Sequence, residues 1–248
     1  MSRDERAFEA GLSDPAVPRS LASGTLEILG RLPNASNHTF LVRTSLEGTE
    51  GLAVYKPRRG EQPLWDFPDG TLCTREVAAY VVARALGWPS VPPTVLRDGP
   101  LGIGSVQAYV PADPEEHSFT LLERFPDDFR RIAVYDLVVN NADRKAGHCL
   151  LGEDGGIHVV DHGVCFSEEP KLRTVIWDFA GESIDEALRA DVDRLAGEVE
   201  NGAVRAELAN LLEEAEIEAL HRRAFAVARA ERFPEPALDR RPFPWPPI

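Results

Sequence analysis

The side chains best suited to chemistry flank one predicted β-hairpin in the second half of the chain. If Leu151 and Ile157 form an antiparallel pair across the five-residue turn, the pairing continues back to His148. The hairpin then returns Asp161 to the end of the loop that carries Asp143, although 18 positions separate the two aspartates. Two carboxylates and one imidazole that converge in this way suit a divalent metal ion, a proton acceptor, or both.

A sheet and one helix are predicted before this cluster. Short apolar runs between turn signals indicate five strands, at residues 25–29, 39–43, 52–56, 91–96 and 105–110. Apolar residues at three- and four-residue intervals from Val77 to Leu86 predict one long amphipathic helix, which Gly87 ends. We therefore expect a small antiparallel sheet accompanied by one helix.

The chain becomes mainly helical after a predicted hinge at residues 111–114. Helices are predicted at residues 126–141, 184–195, 203–212 and 217–229, and the hairpin interrupts them. This order predicts an α+β fold whose segments are a flexible or loosely docked arm at 1–22, a sheet lobe at 23–110, a helical lobe at 111–232 and a Pro-rich tail at 233–248. A cleft between two such lobes is a common ligand site.

The composition limits the classes of partner. The 248 residues carry a formal net charge of −14, and 43% of them are hydrophobic, which is sufficient for a folded core. Because the charge is strongly negative and no basic patch is visible, we expect no nucleic-acid partner. No transmembrane segment or signal peptide is visible, so we expect a cytoplasmic protein. Its scattered cysteines are expected to be reduced and mostly in the core: Cys73, Cys149 and Cys165.

The order of motifs resembles that of protein-kinase-like phosphotransferases. A strand lysine, a helix glutamate, a hinge, an Asp-Arg loop, a hairpin and an Asp-x-Gly motif follow one another between Thr25 and Phe179. The loop is most similar to that of the atypical branch with phosphatidylinositol 3- and 4-kinases, HipA-type kinases and a bacterial phosphatidylinositol kinase-like group. The resemblance implies a two-lobed kinase fold, ATP, and Mg²⁺ or Mn²⁺.

The resemblance also implies a set of nucleotide-binding residues. Lys56 corresponds to the strand lysine that binds the nucleotide phosphates, and Glu76 corresponds to its helix partner. Ser36 and Asn37 lie in the turn that related kinases place over the phosphates, although the usual Gly-x-Gly is missing there. The hinge residues expected to bind adenine through their backbones lie between positions 107 and 110, and include Gln107, Tyr109 and Val110.

The Asp-Arg loop and the Asp-x-Gly motif supply the catalytic candidates. By resemblance, Asp143 accepts or orients the proton of the attacking hydroxyl, and Asp161 binds the metal ion. Arg144 either steers phosphate or pairs with a local carboxylate. His148 stands where the family usually has a metal-binding asparagine. This departure implies a manganese preference, a single metal ion, or a degenerate catalyst.

Three functions remain open at this point. The first is an ATP-dependent kinase whose hydroxyl acceptor is unknown: a protein, a small alcohol or a lipid head group. The second is a pseudokinase that binds nucleotide or acts as a scaffold, suggested by His148 and the missing Gly-x-Gly. The third is a transition-metal hydrolase that uses His148, His158, Asp161 and His162. Strand alternation opposes the third function, because His158 and Asp161 point to opposite faces if the strand continues.

Overall fold

The structure is a computed structural model that describes residues 8, 11–33, 37–239 and 241–248. The chain divides into two compact units. Unit 1 contains residues 1–80 and 92–111, and unit 2 contains residues 81–91 and 112–248.

Unit 1 is built on a five-stranded antiparallel sheet. Its elements are helix α1 (Ala16–Ser23), strands β1 (Thr25–Arg31), β2 (Phe40–Leu46) and β3 (Thr49–Pro57), most of helix α2 (Leu72–Leu86), and strands β4 (Thr94–Gly99) and β5 (Gly102–Ala108). The strand order is β1-β2-β3-β5-β4, so β3 is the central strand. The antiparallel sheet predicted from the sequence is confirmed.

The apolar core of unit 1 determines which way β3 presents its side chains. Ala53 and Tyr55 are fully buried in one cluster with Val17 and Leu21 of α1. Because successive side chains of a strand point to opposite faces, Lys56 lies on the face of β3 away from this core.

Helix α1 stands in place of part of the predicted arm at residues 1–22. Val17 and Leu21 are fully buried, and Nη1 of Arg97 donates to the carbonyl oxygen of Leu21 at 3.0 Å. The prediction of a flexible or loosely docked arm was therefore wrong for the part that forms α1. Two apolar residues four positions apart are too few to establish a helical period, and their burial depends on a sheet formed later in the chain.

Helix α2 begins at a cap that the preceding loop supplies. The carboxylate of Glu61 accepts the backbone N–H groups of Leu72 at 3.1 Å and Cys73 at 2.8 Å. The first turn of a helix leaves such groups without intrahelical partners, so the cap stabilises this end of α2. Glu76 lies one turn further along the same helix.

The prediction of an amphipathic α2 was wrong. Its side chains are buried around almost the whole circumference, and the residues that retain more exposure are Tyr80, Arg84 and Ala85. Ala78 and Ala79, for example, are fully buried. A single-sequence period cannot distinguish a helix buried all round from one that packs on a single face.

Unit 2 is mainly helical. Its elements are the end of α2, helices α3 (Ser118–Leu121) and α4 (Pro126–Val139), strands β6 (Cys149–Leu151) and β7 (Ile157–Val159), and helices α5 (Glu186–Asn201), α6 (Ala203–Leu208) and α7 (Glu214–Arg229). Helix α7 packs on both α4 and α5. Over the described residues, no helix is long and apolar enough to cross a membrane. The predicted helices and hairpin are present, with ends that differ by a few residues.

The hairpin formed by β6 and β7 has the predicted register. Leu151 pairs with Ile157. Beyond the last strand pair, the backbone N–H of Val160 donates to the carbonyl oxygen of His148 at 3.0 Å. The chain that follows Val160 therefore returns to the end of the Asp-Arg loop, as the sequence predicts.

The three cysteines are free and buried, in agreement with the sequence. Burial raises the pKa of Cys73 to about 12 and that of Cys149 to about 11. Both groups are therefore neutral thiols at physiological pH, which suits a structural role.

The cap on α2 gives a stability prediction. Replacing Glu61 with alanine leaves two helix N–H groups without this acceptor, so we expect the free energy of unfolding to fall by about 1–2 kcal/mol. Urea denaturation measures the change. The control is Glu27→Ala, which removes an exposed ion pair with Arg43 and should cost less than about 1 kcal/mol. Equal losses in the two variants would contradict the capping role.

Candidate functional site

Lys56 and Glu76 form an ion pair in unit 1. Nζ of Lys56 donates to Oε1 of Glu76, and the two side chains are 21% and 4% exposed. The central strand β3 positions the lysine, and α2 positions the glutamate. The pairing predicted from the sequence is present, and the partly exposed Lys56 side chain lies on the face of β3 away from the core of unit 1.

The segment predicted to bind adenine, residues 107–110, already forms hydrogen bonds within unit 1. The Gln107 side chain is buried and donates to Oγ1 of Thr94 at 2.8 Å, and the Tyr109 N–H donates to the carbonyl oxygen of Leu52 at 3.0 Å. The Tyr109 N–H is therefore not free to bind adenine in this arrangement, and a backbone contact of Gln107 with adenine stays a prediction. Among the described residues, no hydrogen bond is found for the backbone N–H of Val110, which leaves Val110 as the candidate donor.

The turn between β1 and β2 is described only in part. Ser36 lies outside the described residues. Oδ1 of Asn37 accepts the backbone N–H of Gln62 at 2.7 Å, so this side chain fixes the turn against the loop that follows β3. Phosphate binding by Asn37 stays a prediction.

A buried ion pair holds the Asp-Arg loop of unit 2. Both side chains of the Arg144–Asp136 pair are essentially inaccessible, and Nε and Nη2 of Arg144 lie 3.0 Å and 2.9 Å from Oδ2 and Oδ1 of Asp136. Arg144 also donates to the carbonyl oxygen of Val160 at 3.0 Å and contacts Nε2 of His162 at 2.8 Å. Burial alone would lower the pKa of Arg144, but the charge and hydrogen bonds of Asp136 raise it.

This arrangement corrects the catalytic role considered for Arg144. A guanidinium with no exposed surface cannot contact phosphate directly, so the alternative of pairing with a local carboxylate is the one observed. Arg144 is a positioning residue, because it joins α4, the loop and the hairpin strand that leads to Asp161.

Asp136 and Asn141 were missed by the sequence analysis. Nδ2 of Asn141 donates to Oδ1 of Asp136 at 3.0 Å, and Oδ1 of Asn141 accepts the backbone N–H of Asp143 at 2.9 Å. A hydrogen-bonded path therefore runs from the buried end of α4 to the catalytic candidate. One signal was present in the sequence: Asp136 is a lone carboxylate in the otherwise apolar stretch from Val134 to Val139.

Asp143 has an environment suited to a proton acceptor. Burial raises its pKa to about 6, Lys145 opposes the shift, and the negative charge of Asp161 adds to it. Oδ2 of Asp143 lies 3.5 Å from Nζ of Lys145, and the aspartate side chain is 34% exposed. A base with a pKa near the working pH is mostly ionised and still basic enough to take a proton.

Asp161 occupies a conformation that side-chain-bearing residues rarely adopt. Its φ is 63°, in the left-handed region, and its side chain is 52% exposed. The hydrogen bond from Val160 to His148 and the contact from Arg144 to Val160 constrain the chain directly before it. Unusual backbone geometry of this kind is frequent at functional sites.

His148 lies beside Asp161, and a hydrogen bond from the backbone determines which of its ring nitrogens carries the proton. Nδ1 of His148 accepts the backbone N–H of Lys145 at 3.3 Å, so the neutral ring carries its proton on Nε2. Nε2 lies 3.3 Å from Oδ2 of Asp161. A nitrogen that carries a proton has no lone pair for a metal ion, so this arrangement argues against the predicted metal-ligand role and favours a donor to Asp161.

The donor set suits a hard cation completed by ligand oxygens. Within the described part of the chain, no group of three or more His, Cys, Asp or Glu residues is arranged to hold a metal ion by itself. The half-exposed Asp161 supplies oxygen donors, which Mg²⁺ and Mn²⁺ accept together with phosphate oxygens. His158 and His162 bind elsewhere, to Asp154 and Arg144, which further disfavours the transition-metal hydrolase site.

The Pro-rich tail contacts the Asp-Arg loop. The backbone N–H of Ala146 donates to the carbonyl oxygen of Pro247 at 2.8 Å, and that of Thr174 donates to Pro242 at 3.0 Å. The N–H of Arg144 in turn bonds to the carbonyl oxygen of Arg173 at 3.0 Å. The C-terminal tail therefore holds the Asp-Arg loop in place in addition to α4, which precedes the loop.

Comparison with known proteins identifies a relative of almost the same extent. Protein Rv2133c of Mycobacterium tuberculosis (strain ATCC 25618 / H37Rv) is 42% identical over 261 aligned residues, which cover 91% of this chain and 93% of that protein. The chain belongs to the Rv2133c family. No family model matches the sequence.

Solved structures define the fold of this Rv2133c-family chain. The Helicobacter pylori proinflammatory kinase CtkA matches with a TM-score of 0.55 at 13% identity, over 85% of this chain and 94% of that one. The Golgi casein kinase with Mn/ADP bound matches with a TM-score of 0.54 at 12% identity, over 86% and 74%. The fold is therefore protein-kinase-like, with an antiparallel sheet and a mainly helical part, as the sequence predicts.

Part of the Rv2133c-family chain also resembles plant lipid kinases. Phosphatidylinositol 4-kinase gamma 4 of Oryza sativa subsp. japonica is 32% identical over 127 residues, and that of Arabidopsis thaliana is 29% identical over 129 residues. Each match covers 42% of this chain, which spans less than a quarter of either plant protein. The predicted resemblance to phosphatidylinositol kinases is thus present in part, and the HipA-type resemblance stays a prediction.

The buried ion pair gives a second stability prediction. Asp136→Ala leaves the Arg144 guanidinium buried without its counter-charge, so we expect a loss of about 3–5 kcal/mol in the free energy of unfolding. Urea denaturation measures it. The matched control is Asp128→Ala on the same helix, which removes an exposed pair with Arg131 and should cost less than about 1 kcal/mol. Similar losses at both positions would exclude a special role for Asp136.

The neighbours of Asp143 give a titration prediction. Lys145→Gln removes a positive charge, so the pKa of Asp143 should rise above about 6, whereas Asp161→Asn removes a negative charge and should lower it. Carboxyl ¹³C NMR over a pH series measures both shifts. Arg19→Gln, at an exposed pair with Glu47 in unit 1, should leave the titration unchanged. Shifts of the opposite sign would contradict the described environment.

Proposed function

We propose that this protein is an ATP-dependent phosphotransferase that transfers the γ-phosphate to a hydroxyl group. The observation that carries the proposal is the combination of a kinase-like fold with two neighbouring acidic side chains, the raised-pKa Asp143 on the Asp-Arg loop and the half-exposed Asp161 after the hairpin. The ion pair of Lys56 with Glu76 adds a partly accessible ammonium on the central strand of the sheet.

Lys56 binds the nucleotide phosphates in this proposal. Its ammonium is a compact positive charge that offsets phosphate charge, and Glu76 keeps it in one position by pairing with it. The Glu61 cap fixes the start of α2 and so supports Glu76. The backbone N–H of Val110 binds the adenine ring.

Asp143 orients the acceptor hydroxyl and accepts its proton. Its raised pKa makes the carboxylate a stronger base than an exposed aspartate, and Asn141 fixes its backbone. Lys145 remains close enough to Asp143 to stabilise its ionised form between turnovers.

Asp161 holds the divalent cation, and His148 holds Asp161. A bound Mg²⁺ or Mn²⁺ would neutralise charge on the phosphate oxygens. The carboxylate of Asp161 is exposed enough to bind a cation, and Nε2 of His148 donates toward Oδ2 and limits its rotation. His148 thus positions Asp161 at the place where protein-kinase-like phosphotransferases usually have a metal-binding asparagine.

The acceptor is a hydroxyl on a protein, a small alcohol or a lipid head group. The partial likeness to the plant phosphatidylinositol 4-kinases supports an inositol head group. The net charge of −14 opposes binding to an anionic membrane, so it favours an acceptor met in solution. Parallel assays with soluble inositol, casein and phosphatidylinositol vesicles distinguish the three classes.

A pseudokinase is the second candidate, and His148 favours it. With Nε2 of His148 protonated, the site lacks the second metal ligand that protein-kinase-like phosphotransferases usually have. Such a site binds a nucleotide without transferring its phosphate. Such a protein would respond to ATP and metal ions in its stability but release no phosphate.

One experiment separates the two candidates. We expect ATP with Mg²⁺ or Mn²⁺ to raise the Tm of the wild type, and we expect radiolabelled γ-phosphate to reach an acceptor or water. Asp161→Asn should lose the metal-dependent part of the shift, whereas Asp143→Asn should keep it and lose transfer by about 100-fold or more. Asp193→Asn, at an exposed pair with Arg229, is the control and should behave as wild type.

Three other outcomes would change the assignment. A shift in the wild type without any transfer or hydrolysis would establish the pseudokinase. An equal metal-dependent shift in wild type and Asp161→Asn would remove the metal role of Asp161, and no shift with any nucleotide would overturn both candidates.

A further inference from the structure

Unit 2 contains a second cluster of potentially reactive side chains, formed by Ser90 with Asp154 and His158 of the hairpin. Oγ of Ser90 lies 2.8 Å from Nδ1 of His158, and Nε2 of His158 lies 3.0 Å and 3.2 Å from the two carboxylate oxygens of Asp154. A hydroxyl, an imidazole and a carboxylate joined by hydrogen bonds can activate a serine as a nucleophile, and here the serine contacts Nδ1 and the carboxylate contacts Nε2. None of the three residues has a role in the proposed kinase reaction.

The carboxylate determines the tautomer of the imidazole. An ionised carboxylate can only accept hydrogen bonds, so the proton of neutral His158 must lie on Nε2, toward Asp154. The lone pair of Nδ1 then faces Ser90, whose hydroxyl donates to it. Hydrogen bonding from His158 lowers the pKa of Asp154, which keeps the carboxylate ionised at neutral pH. The ring is therefore oriented as a base toward the serine.

The surrounding backbone fixes each member of the cluster. The backbone N–H of Gly156 donates to Oδ1 of Asp154 at 3.0 Å. A Cβ at Gly152 would lie 2.6 Å from that oxygen and 2.8 Å from Nε2 of His158, so a larger residue there would displace the Asp154 or His158 side chain. The N–H of Val159 donates to the carbonyl oxygen of Ser90 at 2.8 Å.

Within the cluster, Ser90 and Asp154 are exposed to solvent and His158 is buried. His158 is 4% exposed, whereas Ser90 is exposed and the Asp154 side chain is 60% exposed. Ser90 lies at the surface, and the imidazole beside it is shielded from water. This is the distribution expected of a serine that reacts rather than one that only joins two strands.

We propose that Ser90 is a phosphoryl-accepting nucleophile, activated by His158 and oriented by Asp154. Oγ of Ser90 attacks a tetrahedral phosphorus, the O–P bond forms, and the hydroxyl proton passes to Nδ1 of His158. The leaving group departs with the electron pair of its bond to phosphorus. His158 then releases the proton to water, and Ser90 remains as a phosphoester. The phosphoryl donor is either ATP, which rests on the proposed function, or a reactive phosphoryl compound that needs no kinase activity.

A fluorophosphonate probe tests the intrinsic reactivity without any reliance on the kinase proposal. Mass spectrometry of the intact protein and its peptides should reveal one adduct, at Ser90, with loss of fluoride. Ser90→Ala should abolish the adduct, and Ser45→Ala, at a serine whose hydroxyl donates to the Glu50 carboxylate, should not change it. His158→Gln should slow labelling by about 100-fold or more, because the base is lost.

Asp154→Asn keeps the variant set informative if His158→Gln does not fold. Its exposed side chain can be changed with little effect on folding, yet labelling should slow by about tenfold or more because the ring loses its orientation. A second arm incubates wild type and Asp161→Asn with radiolabelled ATP and metal ion. Label at Ser90 in the wild type alone identifies ATP as the donor through the proposed kinase site, whereas fluorophosphonate labelling without ATP labelling limits the donor to other phosphoryl compounds. No fluorophosphonate adduct at Ser90, or equal labelling rates in wild type, Asp154→Asn and His158→Gln, would overturn the proposal.

Discussion

The buried ion pair of Asp136 with Arg144 is the constraint on which the candidate site of unit 2 depends. Neither charge has access to water, so each must keep its partner, and the loop between them has little freedom. Arg144 extends the constraint to the hairpin through the carbonyl oxygen of Val160. Asn141 extends it to the backbone of Asp143. One interaction inside unit 2 thereby determines where both acidic candidates lie.

The two aspartates owe their different chemistry to their surroundings. Asp143 is partly buried, which raises its pKa toward the range of a useful base, and the nearby charge of Asp161 raises it further. Asp161 is more exposed and has a histidine beside it, which suits a carboxylate that binds a cation. Two residues of one type can divide the work of proton transfer and metal binding when their environments differ in this way.

Local patterns in the sequence were sufficient for most of the helices and strands and for the ends of the hairpin. Strand register follows from turn length and period, so the placement of Asp161 near His148 could be worked out before the structure. The ion pair of Lys56 with Glu76 followed from the family resemblance. Helix α1 could not be predicted, because its two buried residues acquire meaning only against a sheet that lies elsewhere in the chain. The role of Asp136 could not be predicted either, because it depends on a buried pair with Arg144.

The sequence by itself determined the class of fold, the order of the motifs and the identity of the two candidate carboxylates, since these depend on short-range periodicity and turn chemistry. Tertiary structure alone decided the burial of Arg144, the tautomer of His148 and the pairing of Ser90 with His158. Burial and hydrogen-bond partners are properties of groups distant in sequence, and they change what a side chain can do without changing its type. For this reason Arg144, a catalytic candidate in the sequence, became a positioning residue in the structure.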